Sequence, residues 1–342
     1  MDELNSVRIV LLGKTGSGKS SLANTIFGQK VFTIGHLPVS ESSPSRAETR
    51  LVCGRNITLI DTRCVFDTSV SENDLKEEIL SCITQCAPGP HVFLIVLKVE
   101  KFTEHEKDVI KTICQHFSED ALKFAAVVFT HGDQLPVGMR IEEFVGQNKS
   151  LSDLLRRCGG RCHVVDNKYW KVDGDDPYRS NKSQVTEILK TTEKISMTNG
   201  GKCYTNEILQ QVNRDIQIEE ETIGESSANM SREEIRNRAR SNVLKRWLVT
   251  LVGAATGALL GAFLGLVQSI ADVVSNLQGP SNSLGKGKAS LDAALKAGIR
   301  GGMIGYQAAA DARDVEDAFQ RAKKDVWNNS SMSGLECRSE DK

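Results

Sequence analysis

Residues Gly13-Lys14-Thr15-Gly16-Ser17-Gly18-Lys19-Ser20 form a GxxxxGK[ST] element, a spacing that does phosphate chemistry. The glycines let backbone N–H groups close around phosphate oxygens, Lys19 reaches the β and γ oxygens, and the Ser20 hydroxyl ligates Mg²⁺. Asp61 ends the apolar run NITLID, where a carboxylate holds the Mg²⁺ shell through water. Further on, Thr130-His131-Gly132-Asp133-Gln134-Leu135 carries a carboxylate. Guanine offers N1–H and an N2 amino group on one edge, a donor pair that Asp133 can accept and that adenine lacks. Taken alone, Asp133 is an ordinary loop carboxylate; the upstream phosphate loop and the strand order favour guanine. His131 is placed to lie against the base, and the Asn167 amide to bond its opposite edge. The expected nucleotide-binding residues are Gly13, Lys14, Thr15, Gly16, Ser17, Gly18, Lys19, Ser20, Ser21, His131, Asp133 and Asn167, with Ser20 and Asp61 on the metal.

The elements that must hold these residues follow a strand-then-helix rhythm. Val7–Leu12 is a continuous apolar run of the kind buried on both faces of a sheet, and Ser21–Phe27 reads as a helix. Further strands are expected at 56–61, 91–97, 123–130 and 162–166, with helices at 74–86, 104–117 and after Asn181. Such alternation implies an α/β fold with a mostly parallel sheet covered on both faces. Ligands on such a sheet sit at the C-terminal strand ends, and Gly13, Asp61, the Thr130–Asp133 group and Asn167 each fall there.

Composition narrows the class of partner. The chain has 342 residues, with Lys+Arg 43 against Asp+Glu 44 and a net charge of -1, which leaves no global field for non-specific nucleic-acid binding. Hydrophobic residues at 39% and charged residues at 25% are ordinary for a globular protein. The odd count of nine cysteines, without a disulfide-framework spacing or an apolar leader, leads to the expectation of reduced thiols in the cytoplasm. Cys158, Cys162 and His163 lack a second ligand pair at zinc-site spacing and are expected to be plain thiols and a plain imidazole.

The blocks GKTGSGKSSLANTIFG, ITLIDT, CAPGPHVFLIVLKVEKFTEHEK and FTHGDQL together resemble the GIMAP family of immunity-associated GTPases. The third block, Cys86 to Lys107, is the family's own box, and GGKCYTNEIL resembles the end of its G domain. The resemblance implies a P-loop NTPase of the Ras-like G-domain type over residues 1–210, binding GTP and GDP with Mg²⁺. It further implies a homo-oligomer formed through the nucleotide face, in the cytoplasm or on internal membranes of immune cells. Two departures fall at the γ-phosphate. The family's DTPG is here Asp61-Thr62-Arg63-Cys64, so the glycine N–H that approaches the γ-phosphate is replaced by one beside a Cβ. Arg63 is either a charge stabiliser in cis or a solvated arginine on a degenerate loop. The family's switch-I threonine has only loose substitutes, Ser42, Ser43, Ser45 and Thr49, around Pro44. The expectation is a GTP-binding regulator whose hydrolysis is weak or absent, the alternatives being an active GTPase switch or a non-enzymatic scaffold.

Past the G domain the pattern becomes helical. A charged linker, 211–246, ends in the basic run Arg232, Arg236, Arg238, Arg240, Lys245 and Arg246. Trp247 to Val267 follows without a charge, and as a helix it would span roughly 30 Å, a bilayer's hydrocarbon core. Gly253, Gly257, Gly261 and Gly265 recur every fourth residue along it. A second Ala/Gly-rich stretch, Ala289 to Ala312, carries charges, and 313–342 is a polar tail. Residues 247–312 are therefore either a membrane-associated hairpin, with 247–267 as an intracellular membrane anchor, or a soluble helical hairpin whose glycine stripe packs against its partner or against the G domain.

Overall fold

The computed structural model describes residues 6–34, 45–62, 71–100, 104–170, 176–226, 229–251 and 256–266. Ser42, Ser43, Arg63, Cys64 and the stretch 289–312 lie outside them. The described residues fall into two compact units, one drawn from Met1–Asp215 with Leu259–Gln268, the other from Ile216–Ala258 with Ser269–Lys342.

The first unit is built on a sheet of order β2-β3-β1-β4-β5-β6. β1 (Val7–Leu12) lies between β3 (Arg55–Asp61) and β4 (Val92–Lys98), parallel to both, and β5 (Ala125–Thr130) and β6 (Cys162–Val164) continue the parallel series. The order reverses at β1, so the crevice beyond its C-terminal end is where such a fold binds ligands. β2 (Arg46–Val52) pairs antiparallel with β3 and is the element the hydrophobic pattern does not announce. Its sequence RAETRLV is half-buried with a polar edge, and the two-residue turn Cys53-Gly54 joins it to β3 with both φ angles positive, as a tight hairpin requires.

Helices cover both faces. Val92, Leu94 and Val96 of β4 pack with Leu22 and Ile26 of α1 (Lys19–Phe27) and with Ile188 and Ile195 of α7 (Asn181–Thr198). The alternate side chain Phe93 points to the other face, its ring 5.5 Å from Phe117 in edge contact. That face is served by α2 (Glu72–Cys86), α3 (Glu104–His116) and α6 (Lys149–Arg157), with the short α4 (Glu119–Leu122) and α5 (Ile141–Gly146) between them. Period-two alternation along a central strand with both sets buried is what two covering layers demand. The expected helices at 74–86 and 104–117 match α2 and α3 to within two residues. The short α4 and α5, of four and six residues, are too brief for periodicity to reveal.

α8 (Glu207–Ser226) begins in the first unit and ends in the second, where α9 (Arg232–Thr250) follows. α9 opens with a capping box, the Ser231 hydroxyl accepting from Glu234 N–H while the Glu234 carboxylate accepts from Ser231 N–H. Two members of its basic run are paired inside this unit: Arg236 meets Glu220 at 2.8 Å and Arg246 meets Glu219 at 2.5 Å. Trp247 is buried. The described residues of the uncharged run 247–267 include the end of α9 and α10 (Thr256–Phe263). Among the described residues no helix is long and apolar enough to cross a membrane.

Candidate functional site

The phosphate loop leaves β1 at Leu12 and enters α1 through Gly18, whose φ is 90° and which supplies no side-chain cap. The first N–H groups of α1 are therefore not satisfied by a cap and face the loop, where an anion also meets the positive end of the helix dipole. Lys19 is buried, its Nζ donating to the carbonyls of Gly13 at 2.8 Å and Lys14 at 2.9 Å, which folds the side chain along the loop. Lys14 in turn meets Glu100, just past β4, at 3.3 Å. The Ser20 hydroxyl donates to Asp61 Oδ2 at 2.5 Å, so the two expected metal ligands stand together at the ends of α1 and β3.

The base loop is tied to the phosphate loop by Thr130, whose Oγ1 donates to the Ser17 carbonyl at 2.7 Å. His131 follows with a left-handed φ of 59° and an exposed ring, its Nδ1 3.0 Å from Thr130 Oγ1. Asp133 sits in a short 3₁₀ turn, Gly132–Gln134, and Gln134 Nε2 donates to its Oδ2 at 2.6 Å. Past β6, Asn167 Oδ1 accepts from Thr25 Oγ1 of α1 at 2.7 Å, joining the last loop to the first helix.

Asp166 is the organiser that sequence reasoning passed over. It is 2% exposed, and its Oδ1 accepts the N–H groups of Lys168 at 3.0 Å, Tyr169, and Trp170 at 3.2 Å. Its Oδ2 takes Asp133 N–H at 3.4 Å. An aspartate bonding backbone N–H groups two to four residues on is an Asx-type turn, the one local signal the sequence carried for it. Trp170 lies over Gly132, where a Cβ would come within 2.6 Å of its ring. Burial and then the contact with Asp166 push the Asp133 carboxyl above the ordinary range. Burial alone would raise Asp166 as well, but its hydrogen bonds with Asp133 and with the N–H groups of Tyr169, Lys168 and Trp170 outweigh it and hold that carboxyl low.

Two buried polar atoms test the fit to a nucleotide: Ser17 Oγ in the phosphate loop and Asp133 Oδ1 in the base loop have no hydrogen-bond partner among the described residues. Buried polar atoms are almost always satisfied, so orphans in these two loops mark places where a ligand completes the bonding. An acceptor orphaned on Asp133 suits the donor edge of guanine. The donor set for a cation, a hydroxyl and a carboxylate, is hard oxygen and suits Mg²⁺.

Two of the loose switch-I substitutes are bonded within the sheet edge and α2. Thr49 lies within β2 with its Oγ1 2.8 Å from Thr58 Oγ1 across the hairpin. Ser45 is buried and its Oγ donates to Glu78 Oε1 at 2.5 Å. Both hydroxyls serve the sheet edge and α2. Cys158 and Cys162 are free thiols, both pushed up to about 12 by burial, and His163 is pushed down to about 4 by burial. No group of three metal-ligating side chains occurs among the described residues.

The AIG1 family model matches residues 7–222, more than half the chain. The chain belongs to the AIG1 family. It is 31% identical over 238 residues to immune-associated nucleotide-binding protein 4 of Arabidopsis thaliana, covering 66% of this chain and 68% of that protein. It is 29% identical over 204 residues to the human GTPase IMAP family member 8, covering 60% of this chain but only 30% of that relative's length. Toc33 from Arabidopsis thaliana, solved with GDP and Mg²⁺, superposes with a TM-score of 0.44 at 20% identity, over 57% of this chain and 85% of that one. The AIG1-type unit is a P-loop G domain followed by helices, and the family boundary runs into α8.

Proposed function

We propose that the protein is a GTP- and GDP-binding regulator that hydrolyses GTP slowly or not at all and self-associates through its nucleotide face at intracellular membranes. The observation that carries nucleotide binding is the meeting, at the C-terminal ends of parallel strands, of the phosphate loop, the Ser20–Asp61 pair and the orphaned Asp133 Oδ1. Residues Gly13 to Ser21 would hold the phosphates, Asp133 and Asn167 the base, and Ser20 with Asp61 the Mg²⁺. The cation, when bound, neutralises phosphate charge. The relatives' names, a GTPase and a nucleotide-binding protein, agree with this reading.

Weak hydrolysis rests on chemistry near the γ-phosphate. Arg63-Cys64 replaces the proline–glycine turn, and Ser45 and Thr49 are engaged elsewhere. Binding requires the phosphate and base loops, whereas turnover also requires both switches. Self-association is what the family resemblance implies. Membrane contact rests on the uncharged run 247–267, and lipid contact by its second half requires those residues to leave the packing described below.

Titration of the full chain with fluorescent GTP, GDP and ATP tests the reading. GTP and GDP should bind at least ~100-fold tighter than ATP, a discrimination that a site built around hydrogen bonds to one base supports. Lys19→Ala should abolish binding of all three. Equal affinity for ATP and GTP would overturn guanine selection, and phosphate release at the pace of an efficient GTPase would overturn weak hydrolysis.

A further inference from the structure

At the N-terminal end of the sheet, opposite the phosphate loop, the first unit holds a segment of its own chain the way a receptor holds a peptide. Leu259, Leu260, Ala262, Phe263 and Leu264 are all buried there. The Phe263 ring is fully buried, 5.9 Å from Phe93, which also stands 5.5 Å from both Phe117 and Tyr204. The backbone of the segment is read by fixed donors. Asn206 Nδ2 donates to the carbonyls of Ala262 at 2.8 Å and Phe263 at 2.9 Å, and Ser118 N–H donates to the Leu264 carbonyl at 2.9 Å. Gly265 then forms an antiparallel bridge with Phe117. Its φ is +85°, and a Cβ there would stand 2.5 Å from Tyr204 Oη and 2.6 Å from Ser118 Oγ, so both backbone and space require glycine.

An aromatic anchor in a closed pocket, carbonyls bonded by a side-chain amide and a main-chain N–H, and one position admitting only glycine are the elements of sequence-specific peptide recognition. We propose that the base of the G domain is a binding groove for a short apolar peptide of the pattern Phe-x-Gly, and that Leu259–Gly265 is its displaceable ligand in cis. The groove is separate from the nucleotide site and goes beyond the reading of that site. Displacement has a physical basis in the segment itself. α10 reads TGALLGAF, whose glycines specify a helix weakly, so the segment is held by the groove more than by its own helicity. Segments held by few hydrogen bonds open at less cost than the global fold. The groove and the uncharged run mask each other: while Phe263 is seated, neither the aromatic pocket nor this half of the run meets another partner.

The test uses the full chain and a fluorescein-labelled peptide spanning Leu259–Leu266 with a solubilising lysine tail, followed by fluorescence anisotropy. The double variant Phe263→Ala, Gly265→Val vacates the groove. It should bind the peptide saturably and at least tenfold tighter than the native chain, and a peptide lacking the phenylalanine should fail to bind. If the vacated chain retains nucleotide binding yet ignores the peptide, or binds the phenylalanine-free peptide equally well, the groove is not a peptide site. Should the double variant lose its fold, amide exchange of the native chain decides. Ser118 N–H should exchange at least tenfold faster than the β4 amides Leu94 and Ile95. Exchange of Ser118 only with global unfolding would make the segment a permanent piece of the core and end the proposal.

Discussion

Asn206 bonds in two directions: its Nδ2 donates to the Phe263 carbonyl at 2.9 Å while its Oδ1 accepts Leu209 N–H at 3.1 Å. One side chain therefore caps the start of α8 and fastens a segment more than fifty residues later in the chain. The two roles separate by chemistry, since an aspartate keeps the capping acceptor and loses the donor.

Asn206→Ala should lower stability by about 2 kcal/mol, the sum of a lost cap and of carbonyls left without their donor. Asn206→Asp should retain the cap, lose less stability, and still speed amide exchange at Ser118. Urea unfolding combined with exchange mass spectrometry checks both, and equal behaviour of the two variants would show that the cap alone matters.

Ser20→Ala should leave the base contacts intact and remove the hydroxyl that bonds Asp61. Guanine-nucleotide affinity should then lose most of its dependence on Mg²⁺, a change read by calorimetry with and without the ion. Full Mg²⁺ stimulation in the variant would place the cation elsewhere.

Asp133 must be ionised to accept two donors from guanine, and its surroundings hold its proton above the usual carboxylate range, burial first and the Asp166 contact next. GTP affinity should therefore fall, as pH is lowered, at a higher pH than an ordinary aspartate would dictate. Asp133→Asn should abolish that pH dependence and shift preference from guanine toward xanthine, whose edge offers an acceptor in place of the amino group. Titrations between pH 7 and 4.5 on a fluorescent GTP analogue read both effects.

His91 and His163 are each pushed down to about 4, His91 by burial and the nearby Arg8 charge, His163 by burial. The sign follows from linkage. Both are neutral in the fold and in the unfolded chain above pH 6.5; between 6.5 and 4 the unfolded chain takes up protons that the fold refuses. Stability should be full above pH 6.5 and fall through that window, by up to on the order of 3 kcal/mol for each histidine. His163→Gln should flatten the decline in urea midpoint between pH 6.5 and 4, and an unchanged slope would remove His163 from the account.

The candidate nucleotide site could be proposed from sequence because its chemistry is local. A phosphate loop is one contiguous stretch between a strand and a helix, and each further residue, Asp61, Asp133 and Asn167, stands just after an apolar run. What was not legible was the network among them. Thr130 reaching the Ser17 carbonyl, Thr25 reaching Asn167, and Asp166 gathering four N–H groups depend on loops that only the sheet brings together. β2 escaped notice for a related reason: an edge strand with one wet side carries a weak hydrophobic signal, and Thr49, a candidate ligand by composition, is a cross-strand partner of Thr58.

By itself the sequence determined the parallel α/β frame, the phosphate loop and the family, since burial on both faces and phosphate binding impose patterns that short segments must satisfy. It also marked residues 247–267 as a run without charge, which has little to gain from solvent. Where the described part of that run goes was decided by tertiary structure alone. Hydrophobicity is non-directional, whereas a pocket is not: Phe93, Phe117 and Tyr204 are remote in sequence, and only the folded sheet assembles them around Phe263 with a donor for each carbonyl and room for one glycine.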